Sequence, residues 1–241
     1  MCGRFVSTNQ PDQIASFFGA DVAVDTLGEN HNVAPTHDVY GVVADTDGSR
    51  RVEAFHWGLI PSWAKDRKIA SRMINARSET LAEKPAFKGL FRKKRVLLPM
   101  DGFYEWKPGS PDGPLNAKGK PLKQPMYIHR ADGDPLAVAG LWAAWKDPDA
   151  SPESVEAGTN WLHSATIVTT AANDTMQPVH DRMPVTVPPE RWAEWLDPAN
   201  DDIEALSTLF HAPDDHAWIM HPVSTDVNRV GNNRPDLIEP T

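Results

Sequence analysis

Cys2 is the only cysteine in a chain of 241 residues, and one peptide bond separates it from the start. Removal of the initiator methionine, which a small second residue permits, leaves an amine and a thiol on adjacent carbons. Such a 1,2-aminothiol captures aldehydes. An α-amino group titrates near about 7.7 to 8.0 and a lysine near about 10.4, so at pH 7 roughly a tenth of the first is neutral against a few parts in ten thousand of the second. The amine is therefore ready to form an imine. The thiol, with an ordinary pKa of about 8.5, then closes onto the imine carbon as a five-membered thiazolidine. The plain alternative is that a lone cysteine is a small buried hydrophobe. Against it stands the position, because a terminus is expected to be exposed and mobile unless something ties it down.

Three further side chains have the chemistry to assist. Glu105 lies between Tyr104 and Trp106 at the end of an apolar segment, where a carboxylate is expected to be desolvated, a setting that suits proton transfer near neutrality. His180 carries an imidazole, the side chain that ordinarily titrates in that range. Asn75 can orient an amine or a sugar. Each also has a structural reading: a buried Glu paired to an Arg, a His satisfied by a carbonyl, an Asn closing a turn.

The net charge is −9, which argues against a protein that coats nucleic acid indiscriminately, but the charge is unevenly spread. Lys84 to Arg95 holds six basic residues and no acid, whereas Glu190 to Asp215 holds eight acids against Arg191 alone. A basic footprint on an acidic body fits a short piece of phosphate backbone; a solvated helix face is its alternative. A single cysteine excludes an intrachain disulfide and a thiolate-rich zinc site. No HExxH or Cys-His cluster occurs, so no metal or cofactor is expected. No run of 18 apolar residues suggests a membrane span, and no signal segment opens the chain, so a cytoplasmic monomer is the expectation.

The elements that must position these groups follow from turn signals. Pro11 to Phe18, closed by Gly19, reads as a helix. Asp38 to Ala44 and Arg51 to Trp57 read as a hairpin around Asp45-Thr46-Asp47-Gly48. Trp57 to Trp63, interrupted by Pro61, is expected to be a loop presenting two indoles. Ser78 to Phe91 reads as helical fragments broken at Pro85 and Gly89. Strands are expected at Arg95 to Pro99, Gly102 to Trp106, Met126 to Arg130, Leu136 to Trp142, Ala165 to Thr170 and Trp218 to Val223. Helices are expected at Pro188 to Trp195 and Ile203 to Phe210. Pro108 to Pro125 and Asp147 to Asn160 read as long loops, and His211 to His216 as a solvated one. Short strands with interspersed helices and no βαβ alternation predict an α+β fold: a single domain on a largely antiparallel, barrel-like sheet, with a core over 2–226 and a C-terminal tail over 227–241.

Seven motifs in order then resemble one family: Cys2-Gly3-Arg4-Phe5, Asn32-Val33-Ala34-Pro35-Thr36, Trp57-Gly58-Leu59-Ile60-Pro61-Ser62-Trp63, Asn75-Ala76-Arg77-Ser78-Glu79-Thr80, Pro99 through Trp106, Ala139-Gly140-Leu141-Trp142 and His180-Asp181-Arg182-Met183-Pro184. Together they are similar to the SRAP (SOS response-associated peptidase) family of abasic-site-processing proteins. The resemblance implies binding of single-stranded DNA and a thiazolidine link between Cys2 and the ring-opened sugar of an abasic site. It further implies Asn75, Glu105 and His180 as the active-site partners and Arg4 and Arg77 as phosphate contacts, with autocatalytic loss of Met1 and weak β-elimination as associated activities. Opening the sugar needs an acid at the ring oxygen, for which His180 fits, and a base or orienter at the anomeric hydroxyl, for which Glu105 fits. Lys84 and Arg95 are further candidates for phosphate. Pro35, Trp57 and Trp63 are candidates for stacking against bases. Leu97 stands where many relatives have a second cysteine. Two other readings remain open: an N-terminal-nucleophile cysteine hydrolase with His180 as base, and a single-strand binder without catalysis.

Overall fold

A computed structural model describes residues 2–212 and 217–241. Met1 and residues 213–216 lie outside the described residues, and with them the N-terminal processing site and most of the His211 to His216 stretch. In chain order the strands are β1 (Phe5–Ser7), β2 (Asp21–Val22), β3 (Asn30–Val33), β4 (Asp38–Ala44), β5 (Arg50–Trp57), β6 (Asn75–Arg77), β7 (Arg95–Met100), β8 (Gly102–Lys107), β9 (Gln124–Arg130), β10 (Leu136–Lys146), β11 (Trp161–Ala171), β12 (Arg182–Pro184) and β13 (Trp218–Pro222). The α-helices are short: α1 (Pro11–Phe18), α2 (Lys88–Lys93), α3 (Pro152–Glu156), α4 (Trp192–Leu196) and α5 (Ile203–Ser207).

Five strands close on themselves. The order β11-β10-β7-β4-β5 is antiparallel throughout, and β5 returns to β11 in parallel through His56 opposite Ser164 and Trp57 opposite Ala165. Closure removes the unpaired edges that an open sheet would expose. A second sheet, ordered β13-β9-β8-β1-β3, is antiparallel at every step. The α+β class and the largely antiparallel, barrel-like sheet expected from the sequence are present.

Strands of the barrel are buried on both faces, which is why they read as nearly continuous apolar runs. Successive residues still point to opposite sides. Along β10, Ala137, Ala139, Leu141 and Ala143 join one apolar cluster, which also takes in α1 and α4. Leu136, Val138 and Trp142 join the other, made with Phe5, Phe103, Ile128 and Trp218 of the second sheet. That second cluster lies between the two sheets, and Cys2 belongs to it.

Several expectations need correcting. Trp57 is not in a loop: β5 runs through it, its indole is 0% exposed, and its Nε1 donates to the Ile74 carbonyl at 3.1 Å. The turn comes one residue later, where Gly58 has φ 127° and a Cβ would fall 2.5 Å from the Ala70 carbonyl oxygen. Gly89 does not break a helix; it sits inside α2, where Phe91 packs against Trp195 and Phe210 and tertiary burial overrides the low propensity of glycine. The C-terminal tail over 227–241 packs against the second sheet. Val227 and Leu237 are buried against Val6, Tyr104 and Tyr127, and the Thr241 N–H donates to the Pro222 carbonyl. None of the helices is long and apolar enough to cross a membrane among the described residues.

Candidate active site

The chain start is not free, contrary to expectation, but threaded into the second sheet. Phe5 pairs with Phe103 on one side and Val33 on the other, and the Tyr104 N–H donates to the Arg4 carbonyl at 2.9 Å. Continuing this antiparallel register toward the terminus brings Glu105 opposite Gly3, next to Cys2. Cys2 is 0% exposed and Glu105 4%. Burial pushes the Cys2 thiol well above the ordinary cysteine range, and the nearby Glu105 charge pushes it further in the same direction. Such a thiol stays protonated at neutral pH, the reverse of the thiolate that cysteine peptidases prepare.

Asn75 opens β6, and its Nδ2 donates to the Cys2 carbonyl at 2.9 Å. Its Oδ1 is buried with no hydrogen-bond partner among the described residues, so a buried acceptor beside the chain start is left for something else. Arg77, two residues on, is exposed at the end of the same strand.

His180 lies in the turn between β11 and β12. Its N–H donates to the Met176 carbonyl at 2.9 Å, and Met176, Val179 and Met183 pack in the same apolar cluster as Cys2. The imidazole Nδ1 is 3.0 Å from the main-chain N–H of Arg182 and 2.8 Å from the Asp181 carboxylate. Cys2, Asn75 and Glu105 thus come together directly, and the turn bearing His180 packs on the cluster that holds Cys2.

The expected DNA contacts divide. Arg4 is half-buried, its Nη1 donating to Asn32 Oδ1 at 2.7 Å and to the Val227 carbonyl at 2.8 Å. Lys84 is exposed in the turn before α2, and Pro35 is half-buried in a turn whose next residue, Thr36, donates to the Trp57 carbonyl. Trp63 is 64% exposed and borders two surface hollows of about 590 and 350 Å³, one flanked by Lys65, Lys68 and Arg72 and the other by Lys94.

Two candidates are overturned. Arg95 is 3% exposed, and all its donors are used on the carbonyls of Phe91, Arg92, Trp195, Asp197 and Asn200; it joins α2 to α4 and cannot reach a phosphate. Trp57, enclosed against Phe5 at 5.0 Å between ring centroids, has no face to offer a base. The rest of the basic stretch, Lys84, Lys88, Arg92, Lys93 and Lys94, is exposed.

Residues that sequence reasoning missed stand inside motifs it quoted. Asn32 is fully buried and donates from Nδ2 to the Val227, Arg229 and Asn232 carbonyls, tying Arg4 to the C-terminal segment. Arg182 grips Glu79. The motif spacing alone carried no sign that either side chain is structural.

The chain is similar to known proteins along nearly its whole length. A family model described as SOS response associated peptidase (SRAP) matches residues 1–230. The abasic site processing protein YoqW of Bacillus subtilis (strain 168) is 39% identical over 242 residues, 99% of each chain. The abasic site processing protein HMCES of Xenopus tropicalis is 34% identical over 217 residues, 80% of this chain and 59% of that one. A crystal structure of a protein from Bacteroides thetaiotaomicron superposes with a TM-score of 0.82 over the full length of both chains at 24% identity, a likeness of fold. With the family model matched from the first residue to 230, and relatives above 30% identity along nearly the whole length, this chain belongs to the SRAP family.

Proposed function

We propose that the protein captures abasic sites in single-stranded DNA through Cys2, as a thiazolidine that shields the lesion. The observation that carries this reading is the placement of Cys2: a fully buried side chain beside Glu105, with its main chain held by Asn75 and burial pushing the thiol above the ordinary cysteine range. A papain-type hydrolase needs a thiolate before its substrate arrives, whereas an aldehyde trap needs the amine first. The names of the relatives, abasic site processing proteins, support the substrate class.

After Met1 is removed, the Cys2 amine adds to the aldehyde carbon of the opened sugar. Water leaves to give the imine. The thiol sulfur then bonds to that carbon while the thiol proton passes to the nitrogen, so closure needs no oxidant or other reagent. Glu105 is suited to carry protons between amine, hydroxyl and thiol, His180 to protonate the ring oxygen as the sugar opens, and Asn75 to hold the terminus. Exposed Arg77 and Lys84 would meet phosphates and Trp63 a base. Loss of Met1 by the same groups, and slow strand scission from the imine, belong to this reading, as does action by a cytoplasmic monomer.

Intact mass after mixing with abasic single-stranded DNA tests the proposal. The expected product has the mass of the protein lacking Met1 plus the DNA less one water. Complete absence of a covalent product from protein with a free Cys2 amine would sink the reading.

A further inference from the structure

Asn75 and Arg77 stand on β6, and His180 leads into β12; each strand has only three residues. Both lean on β11. Strand β6 pairs with it in parallel over Ile167 to Thr169, and β12 pairs antiparallel over Thr169 to Ala171. Thr169 is shared, opposite Arg77 on one side and Pro184 on the other. Ladders this short fix relative position weakly, so something else must hold the two strands in one frame.

Arg182 does so with both its side chain and its main chain. Nη1 and Nη2 donate to separate carboxylate oxygens of Glu79, the second at 2.9 Å, and Nη2 donates also to the Thr169 carbonyl at 2.5 Å. Glu79 lies two residues beyond Arg77, so this bond crosses over β11 from β12 to the end of β6. The Arg182 side chain is 10% exposed and that of Glu79 51%. A planar guanidinium held by two parallel bonds fixes direction as well as distance, which a lysine would not.

The main chain of the same residue acts on His180. Its N–H lies 3.0 Å from Nδ1 and needs a lone pair there, whereas the Asp181 carboxylate, 2.8 Å away, needs a proton there. One nitrogen cannot satisfy both. The Arg182 N–H is anchored in β12, while Asp181 is 76% exposed and screened by water. With β12 in place, Nδ1 accepts, and the proton of the neutral ring sits on Nε2. A shift of β12 would hand Nδ1 to Asp181 and reverse the tautomer.

We propose that Arg182, with Glu79 as its partner, is the positioning residue that keeps Asn75 and the His180 tautomer in a single frame for aldehyde capture. This rests on the capture reading given above. Glu79→Gln and Arg182→Lys, with the double variant, test it at saturating abasic single-stranded DNA. The rate of adduct formation is normalised to the fraction of protein able to form adduct, which removes simple loss of folded protein.

Each single variant should lower the plateau rate about 10- to 100-fold, with the half-saturating DNA concentration little changed. The double variant should be no slower than the worse single, since the two side chains act as one unit. A parental plateau rate in Glu79→Gln, or single effects that multiply in the double, would overturn the proposal. Imidazole 15N shifts and amide exchange at residues 75–77 give a second readout that needs no reaction. Glu79→Gln should move the His180 ring toward the Nδ1–H form and speed that exchange; no change in either overturns the proposal even if the parental protein forms no adduct and the capture reading itself has failed.

Discussion

The Asn75 side chain donates to the Cys2 main-chain carbonyl at 2.9 Å, so the residue that opens β6 holds the chain start across a sequence separation of 73. The contact is to the backbone carbonyl rather than to the thiol. It sets direction: a terminus that could otherwise pivot is fixed at the carbonyl adjoining the carbon that bears the amine. Asn75→Ala should slow adduct formation on the order of 10- to 100-fold by misplacement while costing only about 1 kcal/mol of stability, the ordinary net worth of one hydrogen bond. Single-turnover crosslinking beside urea titration checks both numbers, and a stability loss without a rate loss would make Asn75 merely structural.

Trp57 and Trp63 should separate cleanly. Trp57→Ala removes a fully buried indole and should cost about 3 to 5 kcal/mol of stability. Trp63→Ala, at an exposed position, should leave the melting temperature nearly unchanged and weaken binding of undamaged single strands by about 1 to 3 kcal/mol. Thermal melts and fluorescence anisotropy on the same two proteins decide the matter. Unaltered strand affinity in Trp63→Ala would remove Trp63 from the DNA surface.

Arg95→Ala should behave as a core lesion. It leaves five main-chain carbonyls without their donor and should destabilise the fold by at least about 3 kcal/mol, since a buried acceptor left unsatisfied costs about 1 to 3 kcal/mol. The dependence of DNA affinity on salt should be that of the parent, because no phosphate contact is lost. Arg77→Ala should do the opposite, with unchanged stability and a shallower salt slope.

Much of this was legible in the chain, for identifiable reasons. The β4–β5 hairpin declared itself through two strand-like segments joined by the Asp45-Thr46-Asp47-Gly48 turn, and β10 through an apolar run buried on both faces. Glu105 could be placed in a desolvated setting because its neighbours are aromatic. Trp57 was misread because the proline at 61 was given too long a reach; the strand ends at the left-handed Gly58, and the parallel pairing with β11 that buries the indole is made with residues more than a hundred positions away. Arg95 was misread because a basic run looks the same whether its last member faces water or five carbonyls. Strands β6 and β12 were missed for want of length, since three residues carry no period. The grip of Arg182 on Glu79 spans 103 positions, beyond what local pattern can carry.

Truncation after residue 226 should cripple the site as well as the fold. It removes Val227 and Leu237 from the cluster around Tyr104, and it strips Asn32 of its three carbonyl acceptors and Arg4 of one. A buried amide left without partners costs about 1 to 3 kcal/mol, before the lost apolar burial is added. The truncated protein should melt lower and form adduct more slowly even at temperatures where it is fully folded. Parental adduct rates from such a protein would show that the C-terminal segment only covers the sheet.

The last prediction follows from the protonation state of Cys2. Burial, aided by Glu105, holds its thiol pKa above the unfolded value of about 8.5. The folded protein therefore keeps a proton that the unfolded chain releases, so the contribution to stability is complete below that pH and is lost as pH rises above it. Once the pH is well above the unfolded value, the slope from this one group approaches about 1.4 kcal/mol per pH unit. Tyr104 and Tyr127, also raised by burial, add the same sign only above about pH 10, where an unfolded tyrosine begins to ionise. Between about pH 8.5 and 10 the alkaline loss should thus belong mainly to Cys2. Cys2→Ala should flatten it, whatever small offset the lost sulfur adds at pH 7. Denaturant titrations of both proteins across that range provide the measurement. Parallel pH profiles for the two would mean that the folded thiol ionises normally, and the case for an aldehyde trap over a thiolate hydrolase would lose its main support.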